Sequence, residues 1–250
     1  MDNLSSFTPD ELGAQIDIQL YEIACCHTAS TSPYAVLLGG QSGAGKTLLR
    51  EVMSKEILPK PVIINGDEFR KLHPRFELLK AEYGDDWVTH TAPWSSRMTE
   101  SLIDKLSKLG YNLIIEGTLR TSEVSLRTAT LLRERGYEVS LALMAVKPEI
   151  SLISCQIRYE EMRLAGTTPR ATDPAHHAKI VNDIVDNLST LEESELFDQV
   201  YLYTRSEECL FPADGATASA VLRERLFGEW TPEERAHYEH LKHRLESPKR

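Results

Sequence analysis

The segment Tyr34-Ala-Val-Leu-Leu-Gly39-Gly40-Gln-Ser-Gly-Ala-Gly45-Lys46-Thr47 decides how this chain folds. Its first part, Tyr34 to Gly39, is almost entirely apolar, which is typical of a strand buried on both faces of a parallel sheet. The remainder, Gly40 to Thr47, matches the pattern G-x-x-x-x-G-K-S/T at every fixed position, and a helical pattern follows it. This succession of strand, loop and helix predicts a phosphate-binding loop, in which backbone N–H groups surround phosphate oxygens.

The side chains of this loop also suit a nucleotide. The glycines let the backbone bend around an anion, Lys46 adds positive charge for the β- and γ-phosphates, and Thr47 places a hydroxyl where Mg²⁺ would sit. We therefore expect ATP or GTP, with Mg²⁺, to bind at residues Gly40, Gln41, Ser42, Gly43, Ala44, Gly45, Lys46 and Thr47. The alternative is a glycine-rich turn without a ligand, which the flanking strand and helix argue against. Nothing in the sequence distinguishes ATP from GTP.

Composition narrows the class of protein. A chain of 250 residues is long enough for a complete enzyme, and its net charge of -10 disfavours nucleic acid as a partner, because phosphates would be repelled. The spacing of the four cysteines fits neither a zinc site nor a disulfide framework. The sequence shows no apolar run of roughly 20 residues, and its start lacks the features of a signal peptide. We expect a cytoplasmic protein that does not enter a membrane.

Apolar runs alternate with helical patterns along the chain. Further strands are predicted at Pro61–Asn65, Asn112–Glu116, Val139–Val146 and, more weakly, Tyr201–Tyr203. Helices are predicted at about Lys46–Ile57, Ser95–Leu109, Ser122–Arg135, Ile150–Leu164 and Pro174–Glu195. The alternation predicts an α/β fold with a P-loop kinase-like parallel sheet flanked by helices. We expect one domain over residues 1–250, with an N-terminal helix in 1–30 and C-terminal helices in 216–250 as additions to it.

Asp67 comes directly after the second predicted strand. The carboxyl ends of parallel strands meet at one edge of a sheet, so this carboxylate is expected near the γ-phosphate, where it can accept a proton from an attacking hydroxyl. Two other roles stay open at this point: Asp67 binds Mg²⁺, or it caps the following helix.

Other candidates follow the third and fourth predicted strands. Glu116 ends the third strand and is suited to hold water on Mg²⁺ or to bind a substrate hydroxyl, and Thr118, Arg120 and Thr128 follow it as candidate lining of an acceptor pocket. Arg158 and Arg170 come after the fourth strand and are candidates for a lid that neutralises the transferring phosphoryl group. The alternative for these arginines is ordinary ion pairing with Glu160, Glu161 or Asp173.

Several stretches together resemble the zeta toxin family, in particular its Pez-type members. The matching stretches span almost the whole chain: LLGGQSGAGKT, GDEFR, TESL, GYNLIIEGTLRT, GYEVSLALMAVKPE, IRYEE, RATDPAHH and LFGEW. This ordered set is far more specific than the phosphate-binding loop alone.

The resemblance implies a kinase that phosphorylates the 3′-hydroxyl of the amino sugar of UDP-N-acetylglucosamine and so interferes with cell-wall precursor synthesis. It implies that Asp67 is the general base, that Lys46 holds the phosphates, and that Arg158 and Arg170 clamp the γ-phosphate. It also implies sugar-nucleotide binding by Glu100, Glu116, Thr118, Arg120 and Thr128. A small helical antitoxin that obstructs the nucleotide site is implied as a partner.

Two other functions remain open from the residues. The first is a kinase of another small hydroxyl compound, such as an antibiotic or a sugar acid, on the same scaffold. The second is a regulator that is gated by its bound nucleotide. The acidic set Asp67, Glu100 and Glu116 argues against the regulator, because a switch does not need an acceptor pocket.

Overall fold

The computed structural model of the protein describes residues 4–57 and 59–246. Its centre is a six-stranded sheet in the order β2-β3-β1-β4-β5-β6. The strands are β1 Tyr34–Gly39, β2 Val62–Asn65, β3 Leu113–Glu116, β4 Glu138–Met144, β5 Gln199–Tyr203 and β6 Cys209–Phe211. The pairings among β1 to β5 are parallel, and β6 pairs with β5 in the antiparallel direction.

Helices connect and cover these strands. They are α1 Pro9–Cys26, α2 Lys46–Glu56, α3 Gly66–Phe69, α4 Phe76–Tyr83, α5 Trp87–His90, α6 Ala92–Lys108, α7 Ser122–Glu134, α8 Pro148–Leu164, α9 Pro174–Glu193, α10 Ala218–Phe227 and α11 Pro232–Glu246. The start of α1 is fixed by a capping box, because the Thr8 hydroxyl accepts from the Glu11 N–H while the Glu11 carboxylate accepts from the Thr8 N–H. None of the helices described is long and apolar enough to cross a membrane.

The hydrophobic core has two layers, one on each face of the sheet. Alternate residues of β1 point to opposite faces, so Val36 joins one layer and Leu37 the other. The first layer packs against α2, α8 and α11, and the second against α1, α6, α7, α9 and α10. The carboxyl ends of the parallel strands therefore lie at one edge of a sheet that is covered on both faces, where α/β folds bind ligands.

The predicted α/β fold is confirmed, with corrections to its details. All five predicted strands are present, and β1 has the predicted bounds. The antiparallel strand β6 was not predicted. Only residues 204–208 connect it to β5, and a parallel pairing needs a crossover of about a dozen residues or more. The short helices α3 to α5 were not predicted. In the expected terminal additions, residues 1–3 and 247–250 lie outside the described residues.

Candidate functional site

The loop between β1 and α2 has the backbone conformation of an anion site. Gly40, Gly43 and Gly45 have φ angles of 133°, 76° and 106°, a region that residues with side chains rarely adopt. Gly45 is the N-cap of α2, and no side chain of the described residues caps this helix start. The N–H groups of the first turn are therefore available to an anion, which the helix dipole also favours.

The loop is supported from behind by α8 and from the side by Arg205. A Cβ atom on Gly43 would lie 2.1 Å from the carbonyl oxygen of Ser151, so the loop backbone packs directly on the first turn of α8. The buried amide of Gln41 donates to the Val146 carbonyl at 2.8 Å. Arg205, which follows β5, donates from Nε to the Ala44 carbonyl at 3.2 Å and from Nη2 to the Gly43 carbonyl. Arg205 was not predicted from the sequence as part of the site.

Lys46 lies at the centre of the site. Its Nζ donates to the carbonyl oxygens of Gly40 at 2.7 Å and Gln41 at 3.2 Å. Burial lowers the pKa of this ammonium to about 8, although the nearby carboxylates of Glu116 and Asp67 act to raise it. The desolvated cation thus lies within electrostatic reach of both acidic candidates.

Asp67 stands at the start of α3, as the order of strand and acidic residue predicted. The cap of this helix is Asn65, whose Oδ1 accepts from the Asp67 N–H at 3.0 Å, so the capping role considered for Asp67 is wrong. The carboxylate is ion-paired with Arg70 at 3.0 Å and with Arg170 at 2.5 Å. Burial raises the pKa of Asp67, but the positive charges of Arg170, Arg70 and Lys46 outweigh it and lower the pKa below the ordinary value.

Arg158 adds an unpaired donor close to Arg170 and Asp67. Its Nη2 is buried and has no hydrogen-bond partner within residues 4–57 and 59–246. Burial lowers the pKa of Arg158, and the positive charge of Arg170 lowers it further. The acidic residues considered as ion-pair partners are engaged elsewhere: Glu160 with Arg163, Glu161 with Arg244, and Asp173 with the Ala175 N–H. A buried donor without a partner suits an anion such as a phosphate.

Glu116 ends β3 and is held by two residues. Its Oε1 lies 3.2 Å from Nη1 of Arg50, and its Oε2 accepts from the Asn65 amide at 3.2 Å. Burial raises the pKa of Glu116, against the opposing effect of Arg50 and Lys46. Arg50 was not predicted, although its position four residues after Lys46 places both on one face of α2.

A cavity of about 420 Å³ opens beside Glu116. Glu100 from α6 and Thr128 from α7 also line it, and most of the remaining wall is apolar. The lining further includes Arg127, whose Nη2 lies 3.0 Å from Oε1 of Glu100. The structure thus brings Glu100, Glu116 and Thr128 around one space of the size that small-molecule sites have.

Thr118 and Arg120 lie on the loop after β3, outside the set of cavity-lining residues. Their neighbours Gly117 and Leu119 do line the cavity. Arg120 is exposed, and its carbonyl accepts from the Asn187 amide at 3.0 Å. The predicted roles of these two residues stay predictions.

The donor set fits Mg²⁺ held largely by water and phosphate. Among the described residues there is no group of three or more His, Cys, Asp or Glu side chains that could hold a metal ion. Mg²⁺ needs no such group, because it usually keeps several waters and takes one or two protein ligands plus phosphate oxygens. Thr47 is exposed in the first turn of α2, beside the anion site, and can supply such a ligand.

These features define an α/β fold of the P-loop kinase-like class. The solved structure of the PezAT chromosomal toxin–antitoxin system of Streptococcus pneumoniae matches this chain with a TM-score of 0.88 at 42% identity, covering 97% of each chain. A structure of AvrRxo1-ORF1:AvrRxo1-ORF2 with ATP matches with a TM-score of 0.52 at 17% identity, covering 96% of this chain and 74% of that one. The second match shows the likeness of fold alone.

The sequence of the chain is similar to those of one protein family. The zeta toxin family model matches residues 19–215. Toxin PezT of Streptococcus pneumoniae serotype 4 is 45% identical over 235 residues, covering 93% of both chains, and toxin zeta of Streptococcus pyogenes is 40% identical over 206 residues, covering 82% of this chain and 72% of the relative. The chain belongs to the zeta toxin family, which confirms the resemblance seen in its sequence.

Proposed function

We propose that this protein is a toxin-type kinase that transfers the γ-phosphoryl group of ATP or GTP to the 3′-hydroxyl of the amino sugar of UDP-N-acetylglucosamine. One observation carries the proposal: the Asn65 side chain joins the two halves of the site. Its amide oxygen accepts from the Asp67 N–H, on the side of the expected phosphate site. Its amide nitrogen donates to Glu116, on the side of the cavity. A base between a phosphate site and an alcohol pocket is what a kinase requires.

The phosphate side of the reaction falls to the loop and the cations around it. The N–H groups of Gly40 to Thr47 and the ammonium of Lys46 hold the triphosphate, and the Thr47 hydroxyl is the ligand for Mg²⁺. Mg²⁺, when bound, neutralises charge on the phosphate oxygens. Arg158 and Arg170 stabilise the charge that develops on the transferred group, and the unpaired Nη2 of Arg158 supports this role.

Asp67 orients the attacking hydroxyl and takes its proton. As the sugar oxygen bonds to the γ-phosphorus, the bond from that phosphorus to the β–γ bridging oxygen breaks and the nucleoside diphosphate leaves. The lowered pKa of Asp67 keeps it ionised and ready to accept a hydrogen bond at neutral pH. Since the transition state of phosphoryl transfer is loose, positioning of the hydroxyl matters more than strong basicity.

The acceptor occupies the cavity beside Glu116. Its apolar walls exclude water, while Glu100, Glu116 and Thr128 offer oxygen atoms to the hydroxyl and amide groups of a sugar. Thr118 and Arg120 contribute from the loop after β3. The choice of UDP-N-acetylglucosamine rests on the family to which the chain belongs.

We also propose an antitoxin partner. The solved PezAT structure comes from a toxin–antitoxin system, and its match extends over 97% of this chain. A small helical antitoxin that covers the nucleotide site would keep this protein inactive. The proposed setting is the cytoplasm, with residues 1–250 acting as one domain.

Mass spectrometry of UDP-N-acetylglucosamine after incubation with the protein, Mg²⁺ and ATP tests the proposed function. The expected product carries one additional phosphoryl group on the amino sugar. A panel of other UDP-sugars and non-nucleotide alcohols supplies the comparison. Transfer only to a non-nucleotide acceptor would overturn the choice of substrate, and slow ATP hydrolysis without any acceptor would favour the regulator instead.

A further inference from the structure

His177, in the first turn of α9, is buried behind the phosphate-binding loop. Its Nε2 lies 2.9 Å from the hydroxyl oxygen of Ser151, a fully buried residue in the first turn of α8. His177 is remote in sequence from the loop, and none of the roles assigned above uses it. Its contact joins the starts of two helices at the back of the site.

Ser151 connects His177 to the loop. The buried Gln41, second residue of the loop, donates from Nε2 to the Ser151 hydroxyl at 3.2 Å. The backbone of Ser151 is also the surface on which Gly43 packs, since a Cβ there would meet the Ser151 carbonyl at 2.1 Å. The hydroxyl and carbonyl of one residue therefore fix the loop at two points.

The electrostatic surroundings of the imidazole include the loop. Burial, the larger effect, lowers the pKa of His177, and the nearby backbone of Ser42 acts in the opposite direction. The hydrogen bond of the ring to Ser151 continues to Gln41, and Ser151 also packs against Gly43. Gln41 and Gly43 belong to the part of the loop that must curve around a phosphate.

We propose that His177 is a positioning residue of the phosphate-binding loop, which holds Gln41 to Gly43 in their anion-binding conformation through Ser151. The proposal rests on the nucleotide binding proposed above. A histidine that only tied α9 to α8 would contribute to stability and leave nucleotide affinity unchanged. A positioning histidine changes the affinity for nucleotide in a protein that is still folded, because a displaced loop binds all phosphate states less well.

The first test compares His177→Leu with His177→Gln by calorimetric titration of Mg-ATP and by steady-state kinetics. His177→Leu fills the space without a hydrogen bond and should weaken nucleotide affinity by about tenfold, the effect of losing roughly one hydrogen bond. The kcat and the KM for the acceptor should stay within about twofold, because loss of uniform binding raises only the nucleotide KM. His177→Gln keeps an amide near the position of Nε2 and should restore most of the affinity.

Asn182→Ala is the matched control for this test. Asn182 lies on the same helix and lines, together with His177, a cavity of about 370 Å³ between α8, α9 and the segment after α10. We expect this variant to bind nucleotide with wild-type affinity, because none of the loop contacts described above involves the Asn182 side chain. If the wild type itself fails to bind Mg-ATP, the proposed function is wrong; if wild type and His177→Leu bind equally well, only the positioning role is wrong.

Ser151→Ala gives a second, independent test, which also serves if His177→Leu does not fold. Serine to alanine keeps the helix and removes only the hydroxyl between Gln41 and His177. The affinity for Mg-ATP should again fall by about tenfold. Because Ser151 and His177 act as one unit, a variant that combines Ser151→Ala with His177→Leu should lose no more affinity than the weaker-binding of the two single variants. Losses that multiply in the double variant would mean that His177 does not act through Ser151.

Discussion

Nη1 of Arg170 lies 2.5 Å from Oδ2 of Asp67, so the residue proposed as the base is ion-paired with a residue proposed to hold the transferring phosphate. Arg70 binds the other carboxylate oxygen at 3.0 Å. Asp67 is thus oriented on both sides and kept ionised, because both arginines lower its pKa. Each oxygen of the carboxylate has an arginine partner, so the hydroxyl of an acceptor would approach Asp67 beside one of these two guanidinium groups.

Asp67→Asn should lower kcat by about 10²- to 10⁴-fold, the usual contribution of a positioned base. Nucleotide affinity should change little, because the asparagine retains the shape of the side chain and the loop is untouched. Initial rates with UDP-N-acetylglucosamine and calorimetric titration of Mg-ATP measure the two effects separately. Glu68→Gln is the control: it removes the neighbouring carboxylate, which pairs with Arg50 at 3.8 Å. A normal turnover rate in Asp67→Asn would remove Asp67 from the mechanism.

Arg158→Ala should lower kcat by about 10³-fold, within the range measured for arginines that stabilise the transition state of phosphoryl transfer. Its effect on nucleotide affinity should be much smaller, because the benefit of neutralising charge grows as the phosphoryl group transfers. Arg163→Ala on the same helix is the control, since this exposed arginine pairs with Glu160. Equal losses in kcat and in nucleotide affinity for Arg158→Ala would indicate ground-state binding instead.

The sequence was sufficient for the five parallel strands of the sheet and for part of the candidate site. The apolar runs located the strands, and the shared edge of parallel strands correctly placed Asp67, Glu116 and the loop near each other. The partner side chains were not predictable in the same way. Arg70 and Arg205 act through contacts that depend on side-chain direction and on distant segments of the chain, which hydrophobic periodicity does not encode.

Short helices and strands were also not predictable from the sequence. Helices α3 and α5 have four residues each and β6 has three, which is too few for a periodic pattern to develop. Arg158 and Arg170 illustrate the same limit at the site. Nearby acidic residues favoured ordinary ion pairs from the sequence, and only the contacts of Glu160 and Glu161 with other arginines, and of Asp173 with the Ala175 N–H, argue against that interpretation for Arg158.

In alkaline solution, Lys46 should become protonated when the nucleotide binds, so that binding takes up a proton from the solution. The pKa of Lys46 is lowered to about 8, so at about pH 9 the ammonium is mostly deprotonated in the free protein. A bound triphosphate favours the charged form and raises this pKa, so affinity should fall as the pH rises through about 8. Calorimetry in two buffers of different ionisation enthalpy measures the uptake, which should be close to zero at about pH 6.5.

Lys46→Arg is the control for that measurement, because a guanidinium stays charged throughout this range. Its binding enthalpy at about pH 9 should not depend on the buffer. Proton uptake of equal size in the arginine variant would assign the titration to another group and contradict the lowered pKa of Lys46.

Gly43→Ala should damage both the fold and the site, because the loop cannot accept a side chain at this position. The residue has a φ of 76°, and the new Cβ would lie 2.1 Å from the Ser151 carbonyl oxygen. Gly136→Ala is a matched control: its φ is 79°, and a Cβ there would meet no atom of the other described residues within 4 Å, its chain neighbours apart. The control should lose about 1 kcal/mol of unfolding free energy, from backbone strain alone. Gly43→Ala should lose about 1–3 kcal/mol more, as overpacked sites do, together with nucleotide binding, since the loop must move off α8. Urea unfolding and titration of Mg-ATP measure both quantities, and equal stability of the two variants with intact binding in Gly43→Ala would show that the loop does not depend on its contact with Ser151.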